Sequence, residues 1–81
     1  MEEGLLGKSF GRAVRSKRIA LGITQEKLAE LADLHPTYIS MVERAVRSPT
    51  LEVCNKLANA LEIELSALIS EATALAKKGQ D

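Results

Sequence analysis

"TQEKLAELADLHPTYISMVER", Thr24 to Arg44, is the stretch on which the reading of this chain turns. Thr24 is a good N-cap, and in the run behind it Leu28, Leu31 and Ala32 fall on one side of a helix. Asp33, Leu34 and His35 interrupt that pattern. Pro36 then restarts it, because at a first helical position its missing N–H forfeits no hydrogen bond and its fixed φ suits the turn. His35 becomes the N-cap of this second helix, which runs from Pro36 to about Arg44.

The direction midway between Ile39 and Val42 defines the buried side of that helix. At about 100° per residue, Thr37 and Arg44 lie about 170° from it, Ser40 and Met41 about 130°, and Tyr38 and Glu43 near the margins at roughly 70°. One face is therefore held down and the other is bare. Two short helices joined by a three-residue turn, with the second bare on one face, form a helix-turn-helix, which a major groove can admit. The residues alone leave two readings of that bare face open: a solvated polar surface, or one whose hydroxyls and methyls meet base edges.

Three more helices complete the chain. Upstream, the pattern predicts one from about Ser9, as its cap, to Leu21, with Phe10 and Val14 on one face and Gly22 as the stop. Downstream, Thr50 caps a helix from Leu51 to about Leu61 with Val53, Leu57, Ala58 and Leu61 inward, and a last helix spans about Leu65 to Lys77. "KGQD" is expected to fray. The expectation is an all-α class: a compact five-helix bundle, one domain over residues 1–81, with residues 1–8 as an N-terminal extension and the helix-turn-helix at about 24–44. The last helix carries an apolar stripe, Leu65, Leu68, Ile69, Ala72, Leu75 and Ala76. Leu65 and Leu68 are expected in the core, and the stripe continues beyond them.

Composition narrows the function classes. With 81 residues, a single His and a single Cys, the chain shows no ligand cluster for a metal, no Gly-rich phosphate loop and no paired carboxylates for catalysis, so neither an enzyme, nor a cofactor, nor a small-molecule ligand is expected. A lone Cys and an N-terminus without a basic, apolar leader fit a cytoplasmic protein, and no run approaches the roughly 18 apolar residues of a membrane span. Eleven basic residues balance eleven acidic ones. The balance is uneven: residues 1–50 hold eight basic against six acidic, residues 51–81 three against five. Balanced charge by itself gives no support to nucleic-acid binding, and a protein-interaction module using the same helices stays open.

"LGITQEKLAELA", "TYIS", the "ER" of Glu43–Arg44, "SPTLEV" and "LANAL" resemble the Cro/C1-type (XRE) helix-turn-helix family over about residues 9–70, and most of all the controller proteins of restriction–modification systems. The resemblance implies a lambda repressor-like DNA-binding fold and a transcriptional regulator that binds a palindromic double-stranded operator as a homodimer; phage-type repressor and autoregulating antitoxin are alternatives within the same biochemistry. It places His35, Thr37, Ser40 and Met41 toward base edges, Gln25, Tyr38, Arg44 and Arg47 at phosphates, and Arg18 with Glu43 in a structural ion pair. Ile69, Ala72 and Leu75 run beyond where the family's core usually ends and are expected at a homodimer interface. Three positions depart from the family pattern. Asp33 stands where a turn glycine is usual and is expected to carry the left-handed conformation itself, Ala45 stands where a glycine follows "ER" and is expected to end its helix differently, and Pro36 replaces a common base-reading side chain.

Overall fold

A computed structural model describes residues 5–79, and every regular element among them is an α-helix: α1 (Leu5–Ala20), α2 (Gln25–Ala32), α3 (Pro36–Glu43), α4 (Leu51–Ala60) and α5 (Leu65–Gly79). The five-helix all-α expectation is met. Residues 1–4 of the expected extension and residues 80–81 of the expected frayed end lie outside the described residues, whereas Lys78 and Gly79 continue α5.

The caps explain three of the five starts. Thr24 accepts the Lys27 amide at 3.0 Å and Thr50 the Val53 amide at 3.2 Å, each from an extended backbone. His35 caps α3 through its ring, directly before Pro36. The first helix departs from expectation. It starts at Leu5, four residues before Ser9, and Ser9 is a buried residue on its packed face with 2% exposure. Phe10, Ala13 and Val14 form the stripe that packs inward, and a residue preceding Phe10 falls beside that stripe rather than at a helix end.

Four helices end alike. After α1, Gly22 N–H reaches Ile19 C=O and Ile23 N–H reaches Arg18 C=O; Asp33 and Leu34 do the same after α2, Ala45 and Val46 after α3, and Glu62 and Ile63 after α4. Each is the paired-bond stop that needs one left-handed residue, here Gly22 (φ 72°), Asp33 (φ 57°), Ala45 (φ 61°) and Glu62 (φ 59°). Ala45 therefore does not end α3 differently. It adopts the conformation glycine would have taken, and the two backbone bonds and the Val46 side of the turn hold it there.

The core is aliphatic, as composition implied. Val14, Leu28, Ile39, Val42, Leu57 and Leu68 are sealed from solvent, each contributing about 1.5–3 kcal/mol of burial. Helix α1 packs on both α3 and α5, α2 on α3 and α4, and α4 on α5. The α1–α3 approach is close enough to exclude a side chain at Gly11, where an added Cβ would run into the Val42 carbonyl oxygen. Leu31, expected inward beside Leu28, is 52% exposed instead, because α2 spends its buried face on Leu28, Ala29 and Ala32. Ala72 is corrected too: it is 0% exposed, packed within the chain's own core, and offers nothing to a second copy. Ile69 and Leu75 are half-buried and keep some surface, while Leu65 lies at the core's edge. No helix among the described residues is long and apolar enough to cross a membrane.

Candidate nucleic-acid interface

The turn sets the position of α3. Asp33 in the left-handed region closes α2, Leu34 tucks against the core, and His35 opens α3 three residues after Ala32. Ile39 and Val42, both sealed, fix the rotation of α3 about its axis. That rotation leaves Thr37 and Arg44 exposed and Ser40 and Met41 half-buried, with His35 exposed at the N-terminal tip. Tyr38 packs partly against the core, and Arg47 is exposed in the loop beyond α3.

Two hydrogen bonds organise this face. The Thr37 amide donates to His35 Nδ1 at 3.1 Å. Arg44 Nε donates to Ser40 Oγ at 3.2 Å, across one helical turn. His35 with Thr37, and Ser40 with Arg44, thus form two hydrogen-bonded pairs along the strip on the open side of α3.

Behind the strip lies a buried polar cluster. Arg18 of α1 grips Glu43 of α3 with two prongs, Nε to Oε2 at 2.7 Å and Nη2 to Oε1 at 3.1 Å. Its remaining Nη1 donates to the Ile23 carbonyl at 2.9 Å, bracing the turn between α1 and α2. The Glu43 carboxylate, with 2% of its side chain exposed, is paid for by a third donor, Gln25 Nε2 at 3.0 Å. The hydrogen bond to Glu43 drives the Arg18 guanidinium further above its already high range, against the opposing effect of burial. Three helices are tied at one carboxylate, and no buried side-chain polar atom among the described residues lacks a partner.

Gln25 gains a second meaning from this cluster. It is the first residue of α2, where backbone N–H groups point outward unpaired, and one of its two side-chain N–H groups is spent on Glu43. The other N–H and the amide oxygen remain at the same helix end.

Against the protein families, residues 14–68 match the model described as helix-turn-helix. Control protein C.BamHI of Bacillus amyloliquefaciens is 40% identical over 65 residues, covering 79% of this chain and 80% of that protein. Among solved structures, the restriction–modification controller protein C.AhdI of Aeromonas hydrophila superposes with a TM-score of 0.73 at 43% identity, covering 75% of this chain and 92% of that one. The clp gene regulator ClgR of Corynebacterium glutamicum, at 30% identity, superposes with a TM-score of 0.81 over 85% of this chain and 90% of its own. The chain belongs to the Cro/C1-type helix-turn-helix family. Within it, the likeness to controller proteins is as strong as the sequence motifs implied.

Membership gives the geometry its context. In this helix-turn-helix regulator, α2 and α3 are the two helices of the motif, and α1 and α4 brace them. What the sequence did not disclose is the Gln25–Glu43 bond, which joins residues 18 apart and leaves no periodic signal. Nor did it disclose the Arg44–Ser40 bond, although their spacing of four was visible. Cys54 is buried in α4, where loss of solvation pushes its thiol up, so the thiolate is disfavoured there.

Proposed function

We propose that this chain is a sequence-specific transcriptional regulator that binds a palindromic operator as a homodimer, serving as the controller of a restriction–modification system. The observation that carries the reading is α3 itself: sealed on the Ile39–Val42 side, locked to α1 and α2 through Glu43, and bare along His35, Thr37, Ser40 and Arg44. Such a helix enters a major groove as a rigid body. Thr37, Ser40, Met41 and His35 meet base edges, while Arg44, Arg47, Tyr38 and the Gln25 end of α2 hold phosphates. The names of relatives, control protein and controller protein, support the regulatory setting. Each subunit takes one half-site, about one helical turn from the next, and the surface left at Ile69 and Leu75 of α5 joins the two copies.

The test is binding of the purified protein to DNA upstream of its own gene at two salt concentrations, beside Arg44→Ala. Tight, footprinted, salt-sensitive binding is expected, and the variant should weaken all sequences alike and lower the salt slope by about 1. Equal binding to random DNA at low salt would reject the reading in favour of a protein partner for the same fold.

A further inference from the structure

We infer that His35 presents an obligatory hydrogen-bond donor to the operator, so that the base edge it meets is an acceptor, purine N7, guanine O6 or thymine O4, and never an amino group. The inference rests on the DNA-binding reading above and deepens it at one residue. Its starting point is the tripeptide His35–Pro36–Thr37. Pro36 has no N–H, so the first free amide of α3 is that of Thr37, and His35 Nδ1 accepts it at 3.1 Å. A neutral imidazole carries one donor and one acceptor. With Nδ1 accepting, the proton sits on Nε2, across the ring from the capped amide. Helix capping and polarity of readout are thus one event: the bond that starts α3 decides what the exposed ring offers outward.

The rest of the strip has the same polarity. Arg44 has donors only, and its Nε fills one of the two acceptor positions of Ser40 Oγ, leaving the hydroxyl with its proton and a single acceptor position. None of residues 35, 37, 40, 41 and 44 is Asp, Glu, Asn or Gln, so the strip has no carboxylate or amide oxygen to receive the amino group of cytosine or adenine. A face weighted toward donors matches guanine, the one base with two acceptors in the major groove. A phosphate oxygen is also an acceptor, and it separates from a base edge by sequence dependence.

Two substitutions divide the cap from the donor. Asp and Asn both cap strongly, so His35→Asp and His35→Asn keep the bond to the Thr37 amide, which equal melting temperatures would verify. Asn retains an N–H to offer outward; Asp has none. Each protein, with wild type, would select duplexes from a randomised pool, and the winners would be remade with 7-deazaguanine. Wild type and His35→Asn should prefer guanine at one position per half-site by about tenfold, and His35→Asp should lose that preference. There, 7-deazaguanine should weaken wild type if the ring meets N7, and a guanine-to-adenine change should weaken it if the ring meets O6; His35→Asp should be unmoved by either. The inference is overturned if His35→Asp keeps the full discrimination between sequences, whatever uniform loss its added negative charge brings. It is also overturned if long-range proton–nitrogen NMR of the free protein finds the neutral ring protonated at Nδ1. A wild type that enriches no sequence rejects the DNA-binding reading itself, a separate result from the loss of discrimination.

Discussion

Single residues in this chain act by what they exclude as much as by what they touch. Gly11 sits in the interior of α1, where alanine would ordinarily stabilise a helix by about 1 kcal/mol. Here the added methyl meets the Val42 carbonyl oxygen, and both helices are pinned, α1 by α5 and α3 by the Arg18–Glu43 pair. Gly11→Ala is therefore expected to destabilise by about 1–3 kcal/mol, the usual cost of overpacking, despite the better propensity. A lowered denaturant midpoint at unchanged slope checks it; a raised midpoint would mean that α1 and α3 can part. The sequence carried no sign of this approach. A glycine inside an amphipathic pattern reads as tolerated, and only the packed partner shows why it stands there. The same holds for Gln25: its place at the start of α2 was legible from Thr24, but the carboxylate that receives its side chain belongs to another helix. His35 was the reverse case, because Pro36 left a single amide to cap and sequence logic alone reached it.

Among elements, starts were easier to read than stops. Thr24, His35 before Pro36, and Thr50 announced three helices because an N-cap is a side-chain property. The stops are a backbone property: Gly22 announces one by composition and Asp33 one by standing at a turn position where glycine is usual, whereas Ala45 and Glu62 take the same left-handed conformation without such a sign. Helix α1 starts four residues before the Ser9 that the pattern offers as its cap, because Ser9 lies on the packed face within the helix. These stops differ in strain. Aspartate visits the left-handed region with a polar side chain that suits it, whereas alanine has no such compensation. Ala45→Gly should therefore stabilise the protein by about 1 kcal/mol, the relief of the left-handed alanine less the greater freedom glycine has when unfolded. The sign is checked by thermal melting, and operator affinity should stay within twofold because α3 keeps its cap and its rotation. A fall in stability would show that the Val46 turn, not the Ala45 backbone, governs the end of α3.

At the scale of the molecule, the question is where the chain's own core ends and a shared one begins. The stripe along α5 is continuous in sequence, and periodicity cannot say which neighbour residues 69, 72 and 75 meet. The fold divides them: Leu68 and Ala72 are sealed inside, with α5 lying along α1, while Leu75 is half-buried beside Ala13, Ser16 and Glu71 in a groove between the two helices. Helix α5 is thus part of the domain, clipped to α1 by Lys17 and Glu71 at 3.1 Å. This yields opposite expectations for two leucines on one helix. Leu68→Ala removes side-chain volume from a filled core and should cost about 2–5 kcal/mol, a large part of what so small a domain has. That loss should be the same at any protein concentration. Leu75→Ala removes surface that the proposed homodimer would cover, so its effect should appear in the concentration dependence of melting and in sedimentation, with little change in the dilute protein. If both variants lower the melting temperature equally and without concentration dependence, the two copies meet elsewhere, and exposed Leu31, Val46 and Leu51 become the surfaces to substitute next.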